Sequence, residues 1–132
     1  MKPVPRYTLG KTERLKSRKL IQQVFAQGKS FQQFPLKVVY LNANQTADLQ
    51  AGFTVSSRNF KKATDRNRIK RLMKETYRLQ KNPLEQKLTS TSSSLAVFFI
   101  YIGKEIPVYA ELFACMKKAI NKLLQFHHEA AQ

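Results

Sequence analysis

Apolar positions change period several times along the chain, and each change marks an element. Over residues 17–27, Leu20, Ile21, Val24 and Phe25 form the stripe of an amphipathic helix. Ser17 is placed to cap its start and Gly28 to end it. After Pro35 the run Leu36-Lys37-Val38-Val39-Tyr40-Leu41 is β-branched and aromatic, and Leu49 to Ser56 follows beyond a polar turn from Asn42 to Asp48. Two strands joined this way predict an antiparallel hairpin, with Gly52 allowing a bulge or a close backbone approach. A helical period returns at Thr64 or Asp65, either of which can cap it, and runs to about Gln80 before Asn82-Pro83 stops it. Leu84 to Leu88 adds a short helical piece, and the Ser/Thr tract from Thr89 to Ser94 reads as a loop. Leu95 to Ile102 is apolar at both parities, the pattern of a central strand covered on both faces. Gly103 to Ile106 is a turn, and Pro107 falls in the first turn of a last helix. That helix carries Val108, Leu112, Cys115, Met116, Ala119, Ile120, Leu123 and Leu124 on one side. Residues 1–16 read as an irregular basic arm and residues 126–132 as a polar tail. Residues 1–132 thus form one domain with no repeat or linker.

Charge sharpens this picture by its position. Residues 1–29 carry eight basic side chains and one acid, and residues 58–81 carry ten and two. Residues 30–57 are neutral and residues 82–132 carry five and four, so nearly all of the +16 lies in two blocks. Spread solubilising charge would not cluster so, and a compact domain this positive calls for a polyanion: RNA, DNA or an anionic membrane surface. The eight-residue run Leu95–Ile102 is the longest apolar stretch. A membrane span needs about 20 residues. No apolar h-region follows the basic N-terminus, which predicts no secretory signal. Cys115 stands alone and forms no internal disulfide, consistent with a reducing cytoplasm.

The helix from Asp65 to Gln80 concentrates the charge. At about 100° per residue, Ile69, Leu72, Met73, Thr76 and Leu79 share one side. Asn67, Lys70, Arg71, Lys74 and Arg78 share the other, flanked by Arg66 and Arg68. Solvated faces ordinarily mix signs, whereas here Glu75 is the single balancing acid. Cations at a helix start oppose the macrodipole by tenths of a kcal/mol each, a cost that a phosphate surface turns into attraction. With Arg58 and Lys62 in the preceding basic loop, this ridge is the candidate RNA-binding surface.

The run Asp65-Arg66-Asn67-Arg68-Ile69-Lys70-Arg71-Leu72-Met73-Lys74-Glu75 resembles the RNR signature of the protein subunit of bacterial-type ribonuclease P. Arg14-Leu15-Lys16 with Val24-Phe25-Ala26-Gln27-Gly28-Lys29-Ser30 is similar to that family's first helix and its exit, and Ala51-Gly52-Phe53-Thr54-Val55-Ser56 to the strand before the signature. The similarity spans about residues 11–124. It implies a two-layer α/β (α+β) sandwich with a mixed four-stranded sheet, in the order α-β-β-β-α-β-α with a left-handed βαβ crossover. Only three of the four strands are legible in the chain itself.

The resemblance also implies the role. The catalytic RNA removes the 5′ leader of precursor tRNA with Mg²⁺, while the protein binds that RNA and the leader and supplies no catalytic group. Arg66, Asn67, Arg68, Lys70 and Arg71 match the signature, and Lys74 stands where many members have arginine. A cleft between the first helix and the sheet is implied for the leader, lined here by Ile21, Phe25 and Tyr40, with Ile21 where an aromatic is common. The loop Arg58-Asn59-Phe60-Lys61-Lys62-Ala63 lacks the glycine of many members and is one residue longer. The expected partners are therefore the catalytic RNA and precursor tRNA, in the cytoplasm, with no membrane, no DNA and no protein metal site. The alternative is a structural ribosomal-RNA-binding protein of the same size and charge. A DNA regulator would need base-reading side chains and usually a dimer interface, and a membrane-surface helix a Trp/Phe-rich face. Adjacent His127-His128 lack ligand spacing, Cys115 reads as a small core residue, and Lys117, Lys118 and Lys122 as a solvated face.

Overall fold

The computed structural model describes residues 18–42, 49–90 and 94–130. Its elements run α1 (Arg18–Gln27), β1 (Lys29–Gln33), β2 (Leu36–Asn42), β3 (Leu49–Val55), α2 (Ala63–Arg78), α3 (Asn82–Ser90), β4 (Leu95–Tyr101) and α4 (Tyr109–Ala130). The four strands form one mixed sheet in the order β1-β2-β4-β3. The arm 1–16, the Ser17 cap and most of the Asn42–Asp48 turn lie outside the described residues.

The expected hairpin between the second and third strands does not form. β4 lies between them, antiparallel to β2 and parallel to β3. The reason is in β4 itself: an all-apolar strand is stable only with neighbours on both edges and helices on both faces. The hairpin forms one strand earlier. Lys29–Gln33, which carried no apolar signal, pairs antiparallel with β2 as the fourth strand, and a cis Phe34–Pro35 peptide makes the turn. A polar strand is suited to this edge position, where its outer side faces water.

Strand parity divides the side chains between two faces. Leu36 and Val38 of β2, Leu49, Ala51 and Val55 of β3, and Leu95, Val97, Phe99 and Tyr101 of β4 bury themselves against α2, α3 and α4. Ile69, Met73 and Tyr77 of α2, Leu84 and Leu88 of α3, and Leu112, Met116 and Leu123 of α4 complete this core. Phe53, Tyr77 and Phe99 meet there as an aromatic cluster with centroids 5.4–5.6 Å apart. On the second face α1 packs over β2 and β4 and buries Val24 against Val39 and Ala96.

Several positions differ from the periodic reading. Tyr77 is buried where Leu79 was expected, and Leu79 is exposed, because the helix ends at Arg78 and Leu79 is its C-cap. Val108 is exposed, since α4 starts at Tyr109, beyond Pro107. The tail expected from residue 126 continues as α4 to Ala130, because Phe126 packs back on the sheet: its ring stacks on Tyr40 and meets Phe31 edge-on. Thr89 and Ser90 extend α3 rather than opening the loop. Cys115 is buried and its thiol donates to the carbonyl of Gln33 at 3.1 Å; burial pushes its pKa up and keeps it a neutral donor.

Candidate nucleic-acid interface

The ridge depends on how α2 is held. Its buried side sets Ile69, Met73, Thr76 and Tyr77 into the core. Full burial of such side chains is worth about 1.5–3 kcal/mol each, enough to fix the helix against the sheet. The helix begins at Ala63 with Lys62 as N-cap, and no side chain caps it, so Thr64 and Asp65 lie inside the first turn rather than before it. The preceding loop is secured differently. Phe60 buries its ring 6.0 Å from Tyr101. Asn59 donates to the carbonyls of Ile102 and Gly103 at 3.3 and 3.2 Å. Arg66 donates from Nη1 to the carbonyls of Phe60 and Lys61, both at 2.8 Å.

Arg66 thus braces the loop through Nη1 while its side chain stays half-exposed. Arg78 is also engaged: its Nε and Nη2 meet the Glu75 carboxylate at 2.9 and 2.6 Å. What remains outward is Asn67, Arg68, Arg71 and Lys74, all exposed, with Lys70 half-buried beside them. Among the described residues, none of Arg68, Lys70, Arg71 and Lys74 has a carboxylate within ion-pair distance. Arg58, Lys61 and Lys62 add three exposed cations at the loop leading into the helix. The surface is therefore a row of cationic groups about two turns long, without carboxylate partners among the described residues.

The residues expected to line a cleft are divided between the two faces of the sheet. Ile21 is half-buried and Phe25 is 48% exposed, with its ring 5.2 Å from Phe98 of β4. Tyr40 points the other way. Val39 and Leu41 face α1, so the residue between them must face α4, where Tyr40 packs with Phe31 and Phe126. The face that α1 shares is instead continued by Phe98 and Ile100 of β4 and by Gly52 of β3. Gly52 sits opposite Phe98, and a Cβ there would come within 2.5 Å of the Phe98 ring, so the glycine lets that ring lie across β3. Phe98 escaped the sequence reading because its role depends on which strand lies beside it. Its parity within β4 was the available signal.

The described residues contain no group of three or more His, Cys, Asp or Glu side chains that could hold a metal ion, and no helix long and apolar enough to cross a membrane.

A mixed sheet with a braced cationic helix on one face and a partly covered aromatic floor on the other defines a class of small basic α+β proteins. Comparison with known proteins narrows the class. The family model Ribonuclease P matches residues 9–124. The ribonuclease P protein component of Porphyromonas gingivalis is 33% identical over 121 residues, 90% of this chain and 88% of the relative. That of Chlorobium phaeobacteroides is 32% identical, over 89% and 86%. The solved RNase P protein of Staphylococcus aureus superposes with a TM-score of 0.64 at 18% identity, over 86% of this chain and 96% of that one. The Thermotoga maritima RNase P protein gives 0.62 at 20%, over 83% and 96%; at these identities the two structures speak for the fold. The chain belongs to the ribonuclease P protein family, the protein component of the endoribonuclease that processes tRNA, whose partner is the ribonuclease P RNA.

Proposed function

We propose that this chain docks on the ribonuclease P RNA through Asn67, Arg68, Lys70, Arg71 and Lys74, with Arg58 and Lys62 beside them. It holds the single-stranded 5′ leader of precursor tRNA on the open part of the sheet, around Ile21, Phe25 and Phe98. The observation that carries the reading is the row of cations on α2 with no carboxylate partner among the described residues, held by a buried helix face and a braced loop. Each phosphate neutralised releases counterions, which gives affinity without base contacts. Aromatic rings on the second face suit unpaired bases, at about 1–3 kcal/mol per stacked base. The chain supplies positioning and charge. Mg²⁺ on the RNA supplies the hydrolytic chemistry, and the cytoplasm is the setting.

The test is reconstitution. The purified protein alone should leave a precursor tRNA intact, and should raise its cleavage by the cognate ribonuclease P RNA at low salt and low Mg²⁺. An unchanged cleavage rate in those conditions would exclude the assignment.

A further inference from the structure

Three connections meet at the end of the sheet where β3 and β4 finish and α2 begins. The Ile102 amide donates to the Pro35 carbonyl at 2.8 Å, which ties the connection between β4 and α4 to the β1–β2 turn. Asn59 ties the same connection to the basic loop before α2. Gly103 lies so close that a Cβ there would stand 3.1 Å from Pro35 Cβ. The three form one continuous rim, and its outermost group is aromatic. Phe34, at 67% exposure, is the most exposed large apolar side chain among the described residues. With Pro35 it walls an open cavity of about 720 Å³ floored by Leu112 and Cys115, with Lys104, Glu105, Glu111 and Lys118 also lining it.

Phe34 and Val108, 67% and 61% exposed, line this cavity with Pro35, Ile106 and Pro107, an apolar patch of the kind that marks an interaction site. Charge argues against a second copy of this chain, which would bring another +16 to a rim that Asn59 ties to the basic loop of Arg58, Lys61 and Lys62. It favours a polyanion with planar apolar groups. We infer that the RNA interface of α2 continues across this rim: an unpaired nucleotide stacks on Phe34 at the mouth of the cavity, and its backbone phosphates lie against Lys104 and Lys118. Glu105 and Glu111 repel phosphate and accept hydrogen bonds from an exocyclic base amino group, which turns the base inward and the backbone toward the lysines. The inference rests on the RNA-docking reading above and adds a site that the ridge does not contain.

The probe is the cognate ribonuclease P RNA, titrated with the full chain at several salt concentrations. Phe34 and Lys104 are exposed, so Phe34→Ala and Lys104→Ala should melt like the parent. Phe34→Ala should weaken binding by about 5- to 100-fold with an unchanged salt slope, and Phe34→Trp should restore it where Phe34→Leu does not. Lys104→Ala should lower the slope by about one. Full affinity in Phe34→Ala, alongside weakened binding in Arg68→Ala/Lys70→Ala, overturns this inference and leaves the docking reading standing. Full affinity in both sets overturns both. Wild-type binding by Phe34→Leu overturns stacking, and a concentration-dependent dimer abolished by Phe34→Ala would assign the patch to a second copy.

Discussion

The same strands finish the two faces of the sheet differently. Toward α2–α4, Leu36, Val38, Val97 and Phe99 are fully buried, and three helices seal them. Toward α1, Val24 and Ala96 are fully buried and Val39 nearly so, while Phe98 and Ile100 are partly covered and Phe25 remains half exposed. Among the described residues, α1 has ten residues and packs mainly across β2 and β4. One face therefore carries most of the burial, and the other keeps part of its apolar surface exposed. The helix that seals the first face also carries the cation row on its outer side, which couples that row's geometry to the core.

The largest effect that separates the faces is expected at Phe99. Phe99→Ala empties a site within the aromatic cluster and should cost about 3–5 kcal/mol in chemical denaturation. A loss near 1 kcal/mol would mean that the sealed face is not the stability centre. Next comes a contrast within the signature. Arg66→Ala removes two charge-assisted bonds to loop carbonyls and should destabilise by about 1–3 kcal/mol. Arg68→Ala should leave stability within about 0.5 kcal/mol. Equal melting of the two variants would refute the division between brace and ridge. On the open face, Phe25→Ala removes a half-exposed ring and should cost only about 1 kcal/mol in stability. It should weaken binding of leader-bearing precursor about 5- to 100-fold while sparing leaderless tRNA. Equal loss on both RNAs would assign Phe25 to packing alone.

Much of this was legible in the sequence because it depends on local periodicity. β2, β3, β4 and the stripes of α1, α2 and α4 follow from apolar spacing, and the cation row from the polar face of α2. What was missed depends on contacts distant in the chain. Lys29–Gln33 carries no amphipathic pattern, and only its pairing with β2 makes it a strand. The insertion of β4 between β2 and β3 is a choice of partners that no single run encodes. Phe60 sits among Asn and Lys residues, so its burial against Tyr101 has no local sign. Tyr40 is a different case: alternation along β2 already set it opposite Val39 and Leu41, and only the family resemblance placed it in the cleft. Arg66 and Arg68 are alike in composition but lie about 200° apart around the helix, and Arg66, three residues before buried Ile69, falls on the side that meets the preceding loop.

The central claim is that the outer side of α2 meets RNA phosphates. The most direct measurement is the affinity for the cognate ribonuclease P RNA as a function of salt, for the parent and for Arg68→Ala/Lys70→Ala/Arg71→Ala. Three lost phosphate contacts should lower the magnitude of the slope of log K against log salt by about two to three, with melting little changed. A triple variant that binds more weakly with the parent's slope, or binds as tightly as the parent, would contradict the claim.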